Sequence, residues 1–207
     1  MNARPVRVIG AGGTIAMRGD RAAPALEAGA LIDAVPELGA LDGLDVLGVR
    51  NLPGAALGLD GALAVARAAR DAAREGRGAV VTSGTDTIEE LATLADLVHD
   101  AEAPVVVTGA IRPASAVGAD GPANLRDAVA VAGSSAAAGL GAVVVFGGQI
   151  HAGGTHELLD RRMIRHHERG ERQRMLAGAP ASPLIGRQQP DFNGRSLKRA
   201  LPESHGK

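Results

Sequence analysis

From Thr82 to Thr87 the chain reads Thr-Ser-Gly-Thr-Asp-Thr, so hydroxyls and a carboxylate crowd around the single glycine, Gly84. The segment sits inside Gly78 to Glu90, GAVVTSGTDTIEE. Its opening run, Ala79-Val80-Val81-Thr82, is apolar, β-branched and flanked by glycine, which predicts a short strand buried on both faces. Gly84 breaks that strand. Thr87 with Glu90, or Asp86 with Glu89, has capping-box spacing, and Ile88, Leu91, Ala95 and Val98 then share one face of a helix. Ser83, Gly84, Thr85 and Asp86 therefore fall at the carboxyl end of a strand and beside a helix N-terminus, where open α/β sheets bind their ligands. A plainer reading of the same spacing leaves Thr85, Asp86 and Thr87 as helix caps alone.

A second chemically suggestive stretch is Gly10-Ala11-Gly12-Gly13-Thr14, directly after Val6 to Ile9, which reads as a strand. Three glycines allow a tight loop whose backbone can approach a ligand closely, with Thr14 at its end. A dinucleotide-binding loop would need a third glycine where Ile15 or Ala16 stands, and a simple turn is the plainer alternative.

The elements that must hold these two loops follow from periodicity. Val6 to Ile9 is the first strand, and Met17 to Pro24, charged and aperiodic, is a loop suited to a lid. Leu26, Ala30 and Val35 mark a short helix ending at Pro36, Leu44 to Val49 a second strand, and Leu59 to Glu75 a long Ala-rich helix closed by Gly76. After the central strand and its helix, which runs to about Asp100, Val105 to Thr108 is another buried strand. Gly109 to Ala123 is a loop carrying Arg112, Pro113, Asp120 and Pro122, a helix begins near Asn124, and Gly141 to Phe146 is the last clear strand. Strands alternating with helices imply a mainly parallel, Rossmann-like sheet covered on both faces, with right-handed crossovers.

Beyond Gly153 the composition changes. His156 to Met175 is dense in Arg, Glu and His, and the remainder from Ala177 is rich in Pro and Gly. The expected organisation is an α/β domain over 1–153 and an atypical tail over 154–207. His151, His156, His166 and His167 suggest a metal cluster on composition, but they lack a fixed pattern of partners, and a solvated charged segment is the simpler reading.

Composition narrows the function classes. With 45% hydrophobic residues but only two Phe, no Trp and no Tyr, the core must be built by close packing of Ala, Val and Leu. A formal net charge of −1 argues against a general nucleic-acid or anionic-membrane binder. The absence of cysteine excludes disulfides, thiolate metal sites and a cysteine nucleophile. No apolar run is long enough to span a bilayer, and the N-terminus leads directly into a strand without a signal-peptide pattern, so a cytoplasmic protein is expected.

Three segments, VIGAGGTIA, VVTSGTDTIEELA and VVVTGAIRPASAVGADGPANLRDAV, occur in this order, and together the chain resembles the bacterial-type L-asparaginases over roughly its first three-quarters. The resemblance implies the N-terminal domain fold of that family and an amidohydrolase converting asparagine to aspartate and ammonia, with no cofactor and no metal. Thr14 would be the nucleophile, releasing ammonia and leaving an acyl-enzyme for water to hydrolyse. Thr85 would orient the reacting group or its water, and Asp86 would bind the substrate α-ammonium. Gly13, Ser83 and Gly84 would line the substrate pocket, and a homo-oligomer is expected by the same resemblance.

The chain also departs from that family. Ser83 replaces the turn's histidine, a lid tyrosine has no counterpart, and Leu52-Pro53-Gly54-Ala55-Ala56 lacks the hydroxyl expected to hold the substrate carboxylate. The family's lysine aligns with Leu158, while the only lysines are Lys198 and Lys207, and Arg161 or Arg162 would supply charge without acting as a base. A second, smaller α/β domain is replaced by the tail, as truncation or a shifted reading frame would produce. Weak turnover is therefore expected, with two alternatives: a non-catalytic remnant that binds a small amino acid, or a nucleotide-binding module using the GAGGT loop.

Overall fold

The computed structural model describes residues 4–17 and 26–153. Most of the expected lid, and the whole region from 154 onward with His156, Leu158, Arg161, Arg162, His166, His167, Lys198 and Lys207, lie outside the described residues. The elements are β1 (Val6–Gly12), α1 (Ala28–Asp33), α2 (Pro36–Gly39), β2 (Leu44–Leu52), α3 (Gly54–Arg74), β3 (Gly78–Thr82), α4 (Ile88–Val98), β4 (Val105–Thr108), α5 (Gly121–Gly133), β5 (Ala142–Phe146) and β6 (Gln149–Ala152).

They form one six-stranded sheet in the order β2-β1-β3-β4-β5-β6. All neighbours are parallel except β5 and β6. The chain moves outward from β1 to β2, then crosses back through α3 to place β3 on the other side of β1. The β1/β3 junction is thus the topological switch point of the sheet, and crevices open there at the carboxyl ends of the strands.

Register explains why the strands read as continuous apolar runs. Val8, Val80, Val106 and Val143 are aligned across the sheet, as are Ile9, Val81, Val107 and Val144. The first row packs with Leu31, Ile32, Leu125, Ala128 and Val129 on one face. The second packs with Val65, Ala69, Ile88, Leu91 and Ala95 on the other. In β3, β4 and β5 every residue is buried whichever way it points, so the alternation that marks a half-exposed strand is absent. β2, at the edge, is different: Val46 and Leu47 stay exposed, and Asp45 is held by the Arg7 guanidinium through paired bonds of 2.9 Å.

Several boundaries differ from the sequence expectation. α1 ends at Asp33, three residues before Pro36, which opens the separate short helix α2, where its missing N–H is an orphan in any case. The long helix has an added turn, Gly54–Leu57, joined through Gly58 in a left-handed conformation. α5 begins at Gly121, three residues before Asn124, with Pro122 in its first turn. The last strand is β6 rather than β5. Gly147 and Gly148, both at positive φ, turn the chain back into an antiparallel hairpin, as a two-residue loop requires.

Candidate active site

β1 carries the first glycine loop further into the sheet than periodicity suggests. Gly10 and Gly12 still pair with β2, across a register shift, and Gly12 faces Leu52. Gly13 then donates its N–H to the Leu52 carbonyl at 3.0 Å, so that amide is committed to structure. Thr14 opens a 3₁₀ turn and is half-buried, while Ile15 and Ala16 behind it are buried in the core.

The contact that joins the two motifs is backbone on backbone. Gly13 has φ 81° and ψ −177°, a region essentially reserved for glycine. A Cβ there would lie 2.3 Å from the Gly84 nitrogen and 2.4 Å from the Ser83 carbonyl carbon. The residue after Gly13 is Thr14, and the residue after Gly84 is Thr85. The two threonines therefore flank one point of contact at the carboxyl ends of adjacent parallel strands, where the fold leaves both half-buried.

Ser83 is buried and takes part in the framework. Its N–H donates to the Thr108 carbonyl at 2.8 Å, and its hydroxyl donates to the Gly84 carbonyl at 3.3 Å. Asp86 is exposed and lies against two glycines: a Cβ at Gly54 would be 2.0 Å from its Oδ1, and one at Gly84 would be 2.3 Å away. The expected capping box is not formed. The α4 N-cap is Thr87, whose side chain makes no capping bond, and its Oγ1 is buried beside Gly54 with no hydrogen-bond partner among the described residues. With no side chain spent on the cap, the reading of Thr85-Asp86-Thr87 as helix caps alone has lost its main support, and Asp86 keeps an accessible carboxylate.

A buried polar staple fixes the loop above these turns. Asp120, fully buried, accepts from Ile111 N–H at 3.0 Å, Arg112 N–H at 2.8 Å and Asn124 Nδ2 at 3.1 Å. Asn124 also donates to the Gly109 carbonyl at 2.9 Å and accepts from Gly147 N–H at 3.1 Å. The loop so held presses Gly109 on the Ser83 carbonyl and Gly121 on the Ile15 side chain, and Ala114 donates to the Met17 carbonyl at 3.1 Å. The staple therefore braces both threonine turns from behind. Gly54 and Thr87 are site neighbours to which sequence reasoning gave no site role: Thr87 was read only as a helix cap, and Gly54 only as part of the Leu52–Ala56 stretch that lacks the expected hydroxyl.

A groove of about 670 Å³ between α3 and α4 borders this point through Gly54 and Thr87. Its walls include Leu57, Leu59, Leu94 and Leu97, so it is too apolar to hold a small polar substrate by itself. His151, on β6, has a buried Nε2 with no hydrogen-bond partner among the described residues, and burial holds its imidazole pKa below the usual 6.5. Among the described residues no group of three or more His, Cys, Asp or Glu is placed to hold a metal ion.

The sequence model of the family described as "Asparaginase, N-terminal" matches residues 5–163. The chain belongs to the asparaginase family. It is 38% identical over 156 residues to L-asparaginase 2-3 of Saccharomyces cerevisiae, a match covering 72% of this chain and 43% of that protein. It is 36% identical over 157 residues to the glutaminase-asparaginase of Pseudomonas fluorescens biotype A, covering 72% and 43% respectively. Among solved structures it resembles a probable cytoplasmic L-asparaginase from Campylobacter jejuni, with a TM-score of 0.65 at 34% identity, over 72% of this chain and 48% of that one. The asparaginase-family chain thus spans less than half the length of these relatives, and among its described residues no helix is long and apolar enough to cross a membrane.

Proposed function

We propose that this asparaginase-family chain carries the nucleophile half of an amidohydrolase site that converts L-asparagine to L-aspartate and ammonia. The observation that carries the reading is the seating of Gly13 on the Ser83–Gly84 peptide, which brings the Thr14 and Thr85 turns together at the switch point of the sheet. Thr14 Oγ1 attacks the side-chain amide carbon, its proton passing to an acceptor at the site. The tetrahedral adduct expels the amide nitrogen as ammonia once that nitrogen is protonated, leaving an aspartyl ester on Thr14. Water then attacks the ester and restores the hydroxyl. Thr85 orients the attacking group, and the accessible Asp86 carboxylate pairs with the substrate α-ammonium. The Thr14 hydroxyl is a weak nucleophile at neutral pH, so the rate depends on groups that accept its proton and stabilise the oxyanion. No lysine stands among the described residues to help, and turnover is expected to be weak.

The lack of a lysine among the described residues favours a second reading, an amino-acid binding domain with impaired chemistry. Steady-state ammonia release with asparagine, together with calorimetric binding, separates the two. Thr14→Ala should abolish ammonia release and leave asparagine binding and the melting temperature nearly unchanged, because it removes a half-buried hydroxyl rather than core volume. Undiminished release by the folded variant would remove Thr14 from the mechanism, and binding without any release in the parent would favour the second reading.

A further inference from the structure

We propose that Gly121, the first residue of α5, is a positioning residue for Thr14 and acts on it through the side chain of Ile15. The inference rests on the amidase reading above and adds to it a residue far away along the chain that sets where the attacking hydroxyl stands.

Gly121 is buried and is not among the glycines at positive φ, so its backbone conformation does not call for glycine. Space does. A Cβ there would lie 2.9 Å from Ile15 Cγ1, with Ile15 Cδ1 and Ala110 Cβ both at 3.5 Å. The room that a side chain at 121 would need is taken by Ile15, which is buried in the same core cluster as Ala110 and Leu125. At the far end of α5, a Cβ on Gly133 would meet the Arg4 carbonyl oxygen and Val6 Cγ2 at 3.5 Å, an ordinary contact. The tight approach therefore belongs to the first residue of the helix and to the side chain that follows Thr14.

Ile15 is poorly able to swing aside. It is β-branched and stiff at χ1, and Cγ1 is one bond from Cβ, so a methyl pressed on it is relieved by moving the backbone. That backbone is a short closed turn: Ala16 N–H donates to the Gly13 carbonyl at 3.0 Å, and Met17 N–H to the Thr14 carbonyl at 3.0 Å. Restoring an ordinary separation of about 3.5 Å shifts Ile15 by roughly 0.6 Å and carries Thr14 with it. The Thr85 turn is held separately, through Ser83 N–H on the Thr108 carbonyl at 2.8 Å. The shift thus changes Thr14 relative to Thr85. Since about 1 Å of misplacement costs on the order of 100-fold, half of that corresponds to about tenfold in turnover.

The experiment is a double-mutant cycle in the full chain, with Gly121→Ala, Ile15→Ala and the pair. Each variant is followed by steady-state ammonia release from asparagine, by thermal unfolding and by the amide NMR shifts of Thr14 and Thr85. Gly121→Ala should lower kcat about tenfold and leave KM within about twofold, with the Thr14 amide shifted and that of Thr85 in place. In the Ile15→Ala background no Cγ1 remains to collide, so the same change should cost less than about twofold in kcat and leave Thr14 where Ile15→Ala alone puts it. The double variant also decides the case in which Gly121→Ala alone fails to fold, because it has room for both side chains. Gly133→Ala, the control for a methyl added to the same helix, should match the parent in every readout. An unmoved Thr14 amide in folded Gly121→Ala, an equal loss of kcat in both backgrounds, a loss carried by KM, or a double variant that melts below Ile15→Ala would each overturn the role of Gly121 and leave the amidase reading standing. A parent that releases no ammonia would instead overturn the amidase reading, and the role with it.

Discussion

Replacing Gly13 by alanine tests the contact on which the site depends. The added methyl would meet the Gly84 nitrogen at 2.3 Å, the Ser83 carbonyl carbon at 2.4 Å and its oxygen at 2.5 Å. These are backbone atoms, so no side-chain rotation can relieve them, and reaching an ordinary separation of about 3.5 Å requires the two turns to part by roughly 1 Å. Holding alanine at φ 81° and ψ −177° costs a further 1–3 kcal/mol or so, and the combined penalty is about 2–5 kcal/mol. For a folded region of this size that corresponds to a fall in melting temperature of roughly 5–15 °C. A displacement of about 1 Å between reacting groups typically costs on the order of 100-fold in turnover. Ammonia release and thermal unfolding should therefore fall together in Gly13→Ala. Gly29→Ala is the matched control, because Gly29 lies in α1 with nothing within 4 Å of the position its added methyl would take, and it should be neutral or slightly stabilising. A Gly13→Ala protein that melts and turns over like the parent would show that the two turns do not depend on this approach.

Three further substitutions probe the surroundings. Asp120→Ala leaves the N–H groups of Ile111 and Arg112 and the Asn124 amide without their buried acceptor, and should lower unfolding free energy in urea by about 2–4 kcal/mol; a loss below about 0.5 kcal/mol would mean that the loop is held by other contacts. Gly54→Ala puts a methyl 2.0 Å from Asp86 Oδ1, the movable end of an exposed side chain, and 2.7 Å from the buried Thr87 Oγ1, so it should raise the KM for asparagine and also lower the melting temperature; an unchanged KM would detach Asp86 from substrate binding. His151 has a folded-state pKa below 6.5 because burial disfavours its charged form. Its contribution is thus complete above pH 6.5 and declines as pH falls below that value towards the lowered folded pKa. His151→Leu should flatten that part of the stability profile between pH 7 and pH 5 or so, and a profile parallel to that of the parent would locate the acid sensitivity elsewhere.

The sequence by itself determined the parts that depend on local chemistry. Val80, Val81, Val106 and Val107 had to lie in doubly covered strands, since a run of β-branched apolar residues has no face to offer water. Gly84 had to end its strand, and the order of the GGT and SGTDT segments pointed to the asparaginase family from the residues alone. Features set by distant pairing were not legible. Whether β1 has β3 as its neighbour depends on how whole helices cover the sheet, and that adjacency sets Gly13 on Ser83 and Gly84. Gly54 meets Asp86 only because the first turn of α3 folds over the start of α4, a contact that no periodicity within either segment encodes. The failed capping box has the same origin: Thr87 and Glu90 have the right spacing, but the packing of the turn against Gly54 leaves the Thr87 hydroxyl without a bond to the helix amides it would have capped. Spacing states which bonds a segment is able to make, and tertiary contact decides which of them survive, because each polar group has few partners and the closest backbone approach claims the space first.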